Sequence, residues 1–449
     1  MSKTETRFLC QACGAAFPRW LGRCTACGGW NTLLEETTRK TKGKAHTPVS
    51  RALPITEIEA DASARVPTGI GELDRVLGGG AVLGGVTLVG GDPGVGKSTL
   101  LMQALAGLSA RGLRTLYVSG EESAGQTATR AKRLGAGGDE RMMVLAENEL
   151  EAIEHALADV KPSAIVVDSV QTVRTGALDS ASGSVSQLRE VTARFVERAK
   201  RDGIATFLVG HVTKDGMLAG PKVLEHLVDT VLSFEGERGH ALRTLRAQKN
   251  RFGSATEVGV FEMSSEGMRE VPNPSALFLA ERPRGVPGSV IAATAEGARA
   301  LLVEVQALVG GAVLGNPRRT ANGVDGARLA MILAVLDRKV GVAVGQYDVF
   351  VNVAGGVRVE EPAMDLAIAL ALASSLRDRP VDGGLVAFGE IGLAGEVRGV
   401  DRVGARLAEA HAMGFKTAVV PSSAKPAEPH AGLEVVTVRT LSEAVDRFL

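Results

Sequence analysis

The chain has 449 residues, 45% of them hydrophobic and 23% charged, which excludes a disordered or fibrous protein and leaves room for two or three globular domains. Lys plus Arg is 51 and Asp plus Glu is 51, so global charge points to no partner and any basic face must be local. No apolar run reaches the roughly 20 residues of a membrane helix, and the N-terminus Met1–Arg7 lacks the apolar core of a signal peptide. The expectation is a cytoplasmic chain with no membrane partner.

Residues 1–34 hold all four cysteines, as Cys10-Gln-Ala-Cys13, ten residues, then Cys24-Thr-Ala-Cys27. Each C-x-x-C turn puts two sulfurs on one side. Two facing turns make a tetrahedral four-sulfur site that suits Zn²⁺. Gly14 and Gly28 follow the second cysteine of each pair and permit the positive φ that such a turn needs. Four protein ligands leave no open position, so the zinc is expected to be structural. Two disulfides or a redox pair are the other readings of four cysteines. Both tryptophans of the chain, Trp20 and Trp30, lie in this module beside Arg19 and Arg23. They are either exposed for a partner or nucleic acid, or packed on the zinc turns. Residues 35–52 are polar, basic and aperiodic, and are expected to be a flexible linker.

Residues 53–270 contain the strand pattern Val86–Val89, a glycine loop and the helical run from Leu100. The loop, Gly90-Gly91-Asp92-Pro93-Gly94-Val95-Gly96-Lys97-Ser98-Thr99, satisfies G-x-x-x-x-G-K-[ST] between strand and helix, as the motif requires. Its backbone amides would wrap the phosphates of ATP at a helix N-terminus. Lys97 would reach the β- and γ-phosphates, and Ser98 would hold Mg²⁺. Ala164-Ile-Val-Val-Asp168 reads as a central parallel strand whose terminal Asp would complete the Mg²⁺ site. Leu116-Tyr-Val-Ser-Gly-Glu121-Glu122 is a second strand ending in acids, one of which could orient the attacking water. A third strand, Ala205–Val209, leads to His211, which either senses the γ-phosphate or simply ends the strand. Two Gly- or Ser-rich loops at strand C-termini, 175–189 and 213–222, are candidates to line a pore for DNA.

Thr68-Gly-Ile-Gly-Glu-Leu-Asp74, Leu77-Gly-Gly-Gly80 and the phosphate loop together resemble the RecA-type ATPase core. With the zinc module and the string Lys249-Asn-Arg-Phe-Gly253, the chain closely resembles the RadA (Sms) family of bacterial DNA repair proteins over nearly its whole length. The resemblance implies Glu121 as the catalytic carboxylate. It implies Lys249 and Arg251 as groups acting on a neighbouring subunit's nucleotide or on DNA. It also implies a hexameric ring that threads single-stranded DNA, acts on branched DNA and works beside the RecA recombinase.

A Pro- and Gly-rich stretch near 272–287 marks a boundary, and 271–449 reads as a mixed α/β domain. It resembles the proteolytic domain of Lon protease, through Gly389-Glu-Ile-Gly-Leu-Ala-Gly-Glu-Val397 and Glu361-Pro-Ala-Met-Asp365. In that resemblance the nucleophilic serine is replaced by Asp365 and the lysine by Gly404. A Ser–Lys dyad needs both a hydroxyl and an amine, so no peptidase activity is expected. Arg299, Arg318, Arg319, Arg328, Lys339 and Arg402 are candidates for a basic surface there. The fold class is therefore α/β, with a RecA-like core, a small zinc-ribbon-like module and a Lon-protease-like C-terminal domain. The leading function, as the resemblance implies it, is an ATP-driven DNA motor promoting branch migration of strand-exchange intermediates. A regulatory RecA-like nucleotide switch with protein partners, and an ATP-dependent protease, are the alternatives.

Overall fold

Cys10 ends β1 (Thr4–Cys10), the central strand of a three-stranded antiparallel sheet with β2 (Ala16–Phe17) and β3 (Leu33–Arg39). This computed structural model describes residues 4–10, 14–39, 65–211, 223–236, 242–311, 317–356, 359, 361–424 and 431–449. The register runs from Thr4↔Arg39 to Cys10↔Leu33. Residues 35–39, expected to begin the linker, are thus paired strand. Backbone pairing with β1 overrides their polar composition, as context commonly does for strands. Residues 40–52 of the expected linker lie outside the described residues. The chain divides into two units, Met1–Pro272 and Asn273–Leu449.

In the first unit, α1 (Gly71–Leu77) is bracketed by the short pair β4 (Arg65–Val66) and β5 (Ala81–Val82). A nine-stranded sheet follows. Six strands are parallel: β6 (Val86–Gly91), β7 (Thr115–Ser119), β8 (Met142–Ala146), β9 (Ala164–Asp168), β10 (Ala205–Val209) and β11 (Thr230–Glu235). Three antiparallel strands extend one side: β12 (Leu242–Asn250), β13 (Val258–Ser264) and β14 (Gly267–Glu270), giving the order β14-β13-β12-β11-β6-β10-β9-β7-β8.

The central strands are buried along their whole length because both faces are covered, so they read as unbroken apolar runs. On one face α2 (Lys97–Ala110) and α3 (Ala124–Arg133) cover Val89, Tyr117, Val166 and Phe207. On the other, α4 (Leu150–Val160), α5 (Val185–Asp202) and α6 (Val223–Leu227) cover Val86, Leu88, Val118, Ile165 and Leu208. Adjacent residues of one strand go to opposite layers, as the two-residue period requires. The strand β6 lies where the crossovers diverge, so the crevice at its C-terminal end is the expected ligand position.

The second unit starts with α7 (Pro274–Leu279) and a seven-stranded sheet. Its strands are β15 (Ser289–Glu296), β16 (Arg299–Gly311), β17 (Arg319–Asn322), β18 (Tyr347–Val353), β19 (Leu385–Ala387), β22 (Thr417–Pro421) and β23 (Glu434–Val438), in the order β17-β18-β16-β15-β19-β22-β23. The hairpin β20 (Glu390–Ile391) with β21 (Val397–Arg398) stands apart from it. The core is centred on α9 (Asp365–Arg377), buried from Asp365 to Ser374, with α8 (Gly326–Val335) and α11 (Leu441–Phe448) packed nearby and α10 (Val403–Ala412) in a second cluster. Among the described residues, no helix is long and apolar enough to cross a membrane.

Candidate nucleotide site and metal module

The phosphate loop connects β6 to α2, and glycine is required at both of its ends. Gly91 has φ 155°, and a Cβ there would lie 2.3 Å from the Phe234 carbonyl oxygen. Gly96 has φ 113°, and a Cβ there would lie 2.1 Å from Met268 Cε. The buried Lys97 ammonium donates to the loop's own carbonyls, at Gly91 (2.7 Å) and Asp92 (2.9 Å). Burial lowers its pKa, while the carboxylates of Asp168, Asp92 and Glu121 oppose that shift. Among the described residues, the hydrogen bonds of this cation go to the loop's own backbone oxygens. That is the arrangement an incoming polyphosphate would exploit.

Tyr117, on β7, donates its hydroxyl to Asp168 Oδ2 and also hydrogen-bonds Ser98. One phenol therefore bridges the two candidate Mg²⁺ ligands. Burial and the Asp168 charge raise the Tyr117 pKa, so it stays a neutral donor. Arg130 of α3 donates to Tyr117 Oη (3.1 Å) and pairs with Glu122 (3.0 Å), at 3.9 Å from Asp168. Glu122 is thereby turned toward Arg130. Glu121 instead accepts from Ser169 Oγ (2.7 Å) and lies 3.5 Å from His211 Nε2. The turn is clamped by Ser119 Oγ, which accepts from the Glu122 amide (3.1 Å), and by the Ser123–Gln126 capping box that opens α3. Lys97, Ser98, Glu121, Asp168 and His211 all follow or end β6, β7, β9 or β10, so the parallel sheet brings them to one edge. Tyr117, Arg130 and Ser169 were not singled out from sequence. The one signal was a tyrosine, an aromatic with a polar tip, inside a fully buried strand.

Lys249 and Arg251 lie elsewhere. Lys249 Nζ donates to the carbonyls of Glu225 (2.6 Å) and Val228 (2.7 Å), and Arg251 pairs with Asp229 (3.1 Å). Asp229 in turn accepts from the Val86 amide, at the start of β6. From Val86 to Gly91 is five strand steps, roughly 16 Å. Neither cation reaches its own phosphate loop. Asn250 completes the cluster by donating to Val76 and Leu77 carbonyls at the end of α1 (3.3 and 3.4 Å). The Lys-Asn-Arg-Phe-Gly string thus ties α1, α6 and β11 together within the protomer.

Of the two candidate pore loops, 213–222 lies outside the described residues. The other is pinned by buried Gln187, whose Nε2 donates to the carbonyls of Thr175 (3.2 Å), Leu178 (3.2 Å) and Ser180 (3.0 Å).

In the N-terminal module the sulfurs of Cys10, Cys24 and Cys27 lie within 4.8 Å of one another, and Cys10 and Cys27 are 3.7 Å apart. A tetrahedron with metal–sulfur bonds of about 2.3 Å has edges of about 3.8 Å, so these residues fit a zinc ion. Cys13 lies outside the described residues. The two turns match: Gly14 and Gly28 have φ 75° and 77°, and each amide donates to the carbonyl of Cys10 or Cys24 (2.8 Å). Trp20 and Trp30 are 53% and 70% exposed, so the packed alternative does not hold.

In the second unit, Asp365 opens α9 and is 1% exposed. Both of its oxygens accept from the Arg328 guanidinium, and the Ile391 amide donates to it (2.9 Å). Burial pushes the Asp365 carboxyl up, against the opposing pull of Arg328. Arg328 is therefore engaged with Asp365 and is not a free basic surface group, contrary to expectation. Arg318, Arg319, Lys339 and Arg402 are exposed, and Arg299 is half-buried. Gly404 sits in the first turn of α10 with open space where a side chain would begin.

Three family matches fall along the chain: a rubredoxin metal binding domain over residues 8–35, an AAA domain over 54–217, and the subunit ChlI of Mg-chelatase over 326–424. The KaiC-like protein PH0186 from the archaeon Pyrococcus horikoshii is a similar solved structure, at 21% identity and TM-score 0.40 over 47% of this chain and 100% of that one. The DNA repair protein RadA of Bacillus subtilis is 49% identical over 457 residues, covering 99% of both chains. That of Pseudomonas aeruginosa is 51% identical over 451 residues, again covering 99% of both. With its zinc ribbon, RecA-like ATPase core and ChlI- or Lon-like C-terminal domain in that order, the chain belongs to the DNA repair protein RadA family.

Proposed function

We propose that this protein is a DNA-dependent ATPase that moves along single-stranded DNA and drives branch migration of strand-exchange intermediates. The observation that carries this reading is the split between two sets of residues. Lys97, Ser98, Asp168 and Glu121 gather at the C-terminal edge of the sheet, while Lys249 and Arg251 sit roughly 16 Å away at the other edge. Cations so placed can serve a nucleotide's phosphates only if that nucleotide is held by another subunit, or can meet the phosphates of DNA. A site completed in trans couples turnover to movement between subunits. A hexameric ring is the assembly this reading calls for, with branched DNA and the RecA recombinase as partners, in the cytoplasm.

In this reading Gly91 to Thr99, with Asp92, Pro93, Gly94 and Val95 at the bend, cradle the ATP phosphates through backbone amides, and Lys97 leaves its carbonyls to engage them. Glu121 accepts a proton from the attacking water, and Ser169 and His211 hold its carboxylate at the edge of the site. A Mg²⁺ ion held by Ser98 and Asp168 would neutralise charge on the β- and γ-phosphates. Tyr117 keeps those two side chains in register. Tyr117→Phe is expected to raise the Mg²⁺ concentration for half-maximal turnover about 10-fold, the low end for an outer residue of a metal site, with a smaller change at saturating Mg²⁺. Cys10, Cys13, Cys24 and Cys27 hold a structural Zn²⁺. Asp365, bound to Arg328, has no role as a nucleophile, and the second unit acts as a scaffold.

Subunit mixing tests the split site. Lys97→Ala and Lys249→Ala proteins should each be inactive in DNA-stimulated ATP turnover. Mixed, they should recover part of it, since some interfaces then pair an intact loop with an intact Lys249. No recovery over any mixing ratio, with exchange of subunits verified, would rule out action in trans. A regulatory switch would instead hydrolyse ATP at a rate indifferent to DNA.

A further inference from the structure

The two exposed tryptophans flank one turn of the zinc module. The ring of Trp20 lies against Gly22, where an added Cβ would meet its edge at 3.6 Å. Gly22 accepts from the Asn31 amide (2.8 Å), and Arg23 bridges to Trp30 in the next step of the same pairing. The Arg23 guanidinium stands 5.6 Å from the Trp30 ring centre and is held there by its Nε donating to the Gly28 carbonyl (3.0 Å). Arg19 is exposed beside Trp20. From Gly14 to Leu34 the sequence holds no Asp or Glu.

Large indoles at 53% and 70% exposure have a cost in water that a small module does not need to bear, since its own core is Cys10, Cys24 and Leu33. Each indole has an arginine nearby, Arg23 over the Trp30 ring and Arg19 just before Trp20, and the span from Gly14 to Leu34 that holds both carries arginines and no acid. The matching partner is a polyanion with flat faces to stack. That describes single-stranded nucleic acid, whose bases stack on aromatic side chains while its phosphates meet cations. A protein partner would be met by a contiguous apolar patch, whereas here the Arg23 guanidinium stands over the Trp30 ring and Trp20 directly follows Arg19 in sequence. We propose that Trp20 and Trp30, with Arg19 and Arg23, form a stacking platform for unpaired bases, a contact for single-stranded DNA outside the ATPase ring. This deepens the reading of the protein as a DNA motor and rests on it for the identity of the strand.

The chain contains only these two tryptophans, so intrinsic tryptophan fluorescence of the full-length, zinc-loaded protein reports this module alone. Titration with oligo(dT) should quench it saturably. The midpoint should match that from anisotropy of labelled oligo(dT) and weaken with salt. Trp30→Ala and Trp20→Ala should each weaken oligo(dT) binding roughly 5- to 150-fold, the range of base–aromatic stacking. Trp30→Phe should retain most of the affinity. Zinc content and DNA-free ATP turnover should be unchanged in all three. Oligo(dT) binding by anisotropy with no quenching, and alanine variants within twofold of wild type, would overturn the platform. So would equal quenching by polyglutamate, which offers charge without bases. The two readings fail separately. Quenching without any stimulation of ATP turnover keeps the platform and defeats the motor. Stimulation without quenching does the reverse.

Discussion

A Glu121→Gln protein should bind ATP as tightly as wild type and hydrolyse it about 10²- to 10⁴-fold more slowly, the usual loss when a positioned base is removed. The amide keeps the shape and can still meet Ser169 Oγ and His211, but it cannot take a proton from water. Lys97→Ala should instead lose both functions. Its ammonium is the only side-chain cation bonded to the loop carbonyls of Gly91 and Asp92 among the described residues, and removing one such electrostatic contact costs about 10²- to 10³-fold in turnover. The contrast is read by equilibrium binding of a fluorescent nucleotide alongside single-turnover hydrolysis. If Glu121→Gln lost binding as well, Glu121 would be part of the fold of the site and not its base. If Glu122→Gln showed the larger fall in turnover, the roles of the two acids would be exchanged. The geometry argues against that, because Glu122 is paired with Arg130.

Arg328→Ala should destabilise the second unit by about 3–5 kcal/mol, the cost of leaving a buried carboxylate without its cation. Among the described residues, the hydrogen bond left to Asp365 would be that from the Ile391 amide. The loss should appear as a lowered unfolding transition for this unit, with the ATPase core's own transition unmoved. Replacing the pair together, as Arg328→Met with Asp365→Leu, should recover most of the loss, because an apolar pair of similar volume carries no desolvation penalty. Asp365→Ser should not produce a peptidase. A hydroxyl would stand at the start of α9, but Gly404 offers no amine to take its proton. Casein cleavage by that variant, with a contaminating protease excluded, would contradict this account of the second unit.

The elements that were legible in sequence are those with a local cause. The phosphate loop is set by glycines at fixed spacing, and the buried strands by unbroken apolar runs. Both are properties of a few consecutive residues. Asp168 and Glu121 could be placed at strand ends because parallel sheets put ligands there. The Tyr117–Arg130–Asp168–Ser98 network was not legible, since it joins β7, α3, β9 and α2 across the sheet face and no spacing encodes it. Lys249 and Arg251 could be named from the resemblance. That each has a partner in its own chain, at the far edge of the sheet, depends on how β12 pairs with β11. Residues 35–39 read as linker because their composition is polar. They are strand because β1 pairs with them along its full length. Arg328 read as a surface cation for the same reason, and its engagement with Asp365 thirty-seven residues away is a tertiary fact.

The central claim is that ATP turnover answers to DNA. It is tested most directly by steady-state ATP hydrolysis with and without single-stranded DNA, at low and at moderate salt, for wild type and Lys97→Ala. The account predicts stimulation by DNA, weaker stimulation as salt competes for phosphate contacts, and turnover about 10²- to 10³-fold lower for Lys97→Ala under every condition. A wild-type rate that needs Lys97 but is the same with and without DNA at both salt concentrations would contradict it, and the protein would then be read as a nucleotide switch.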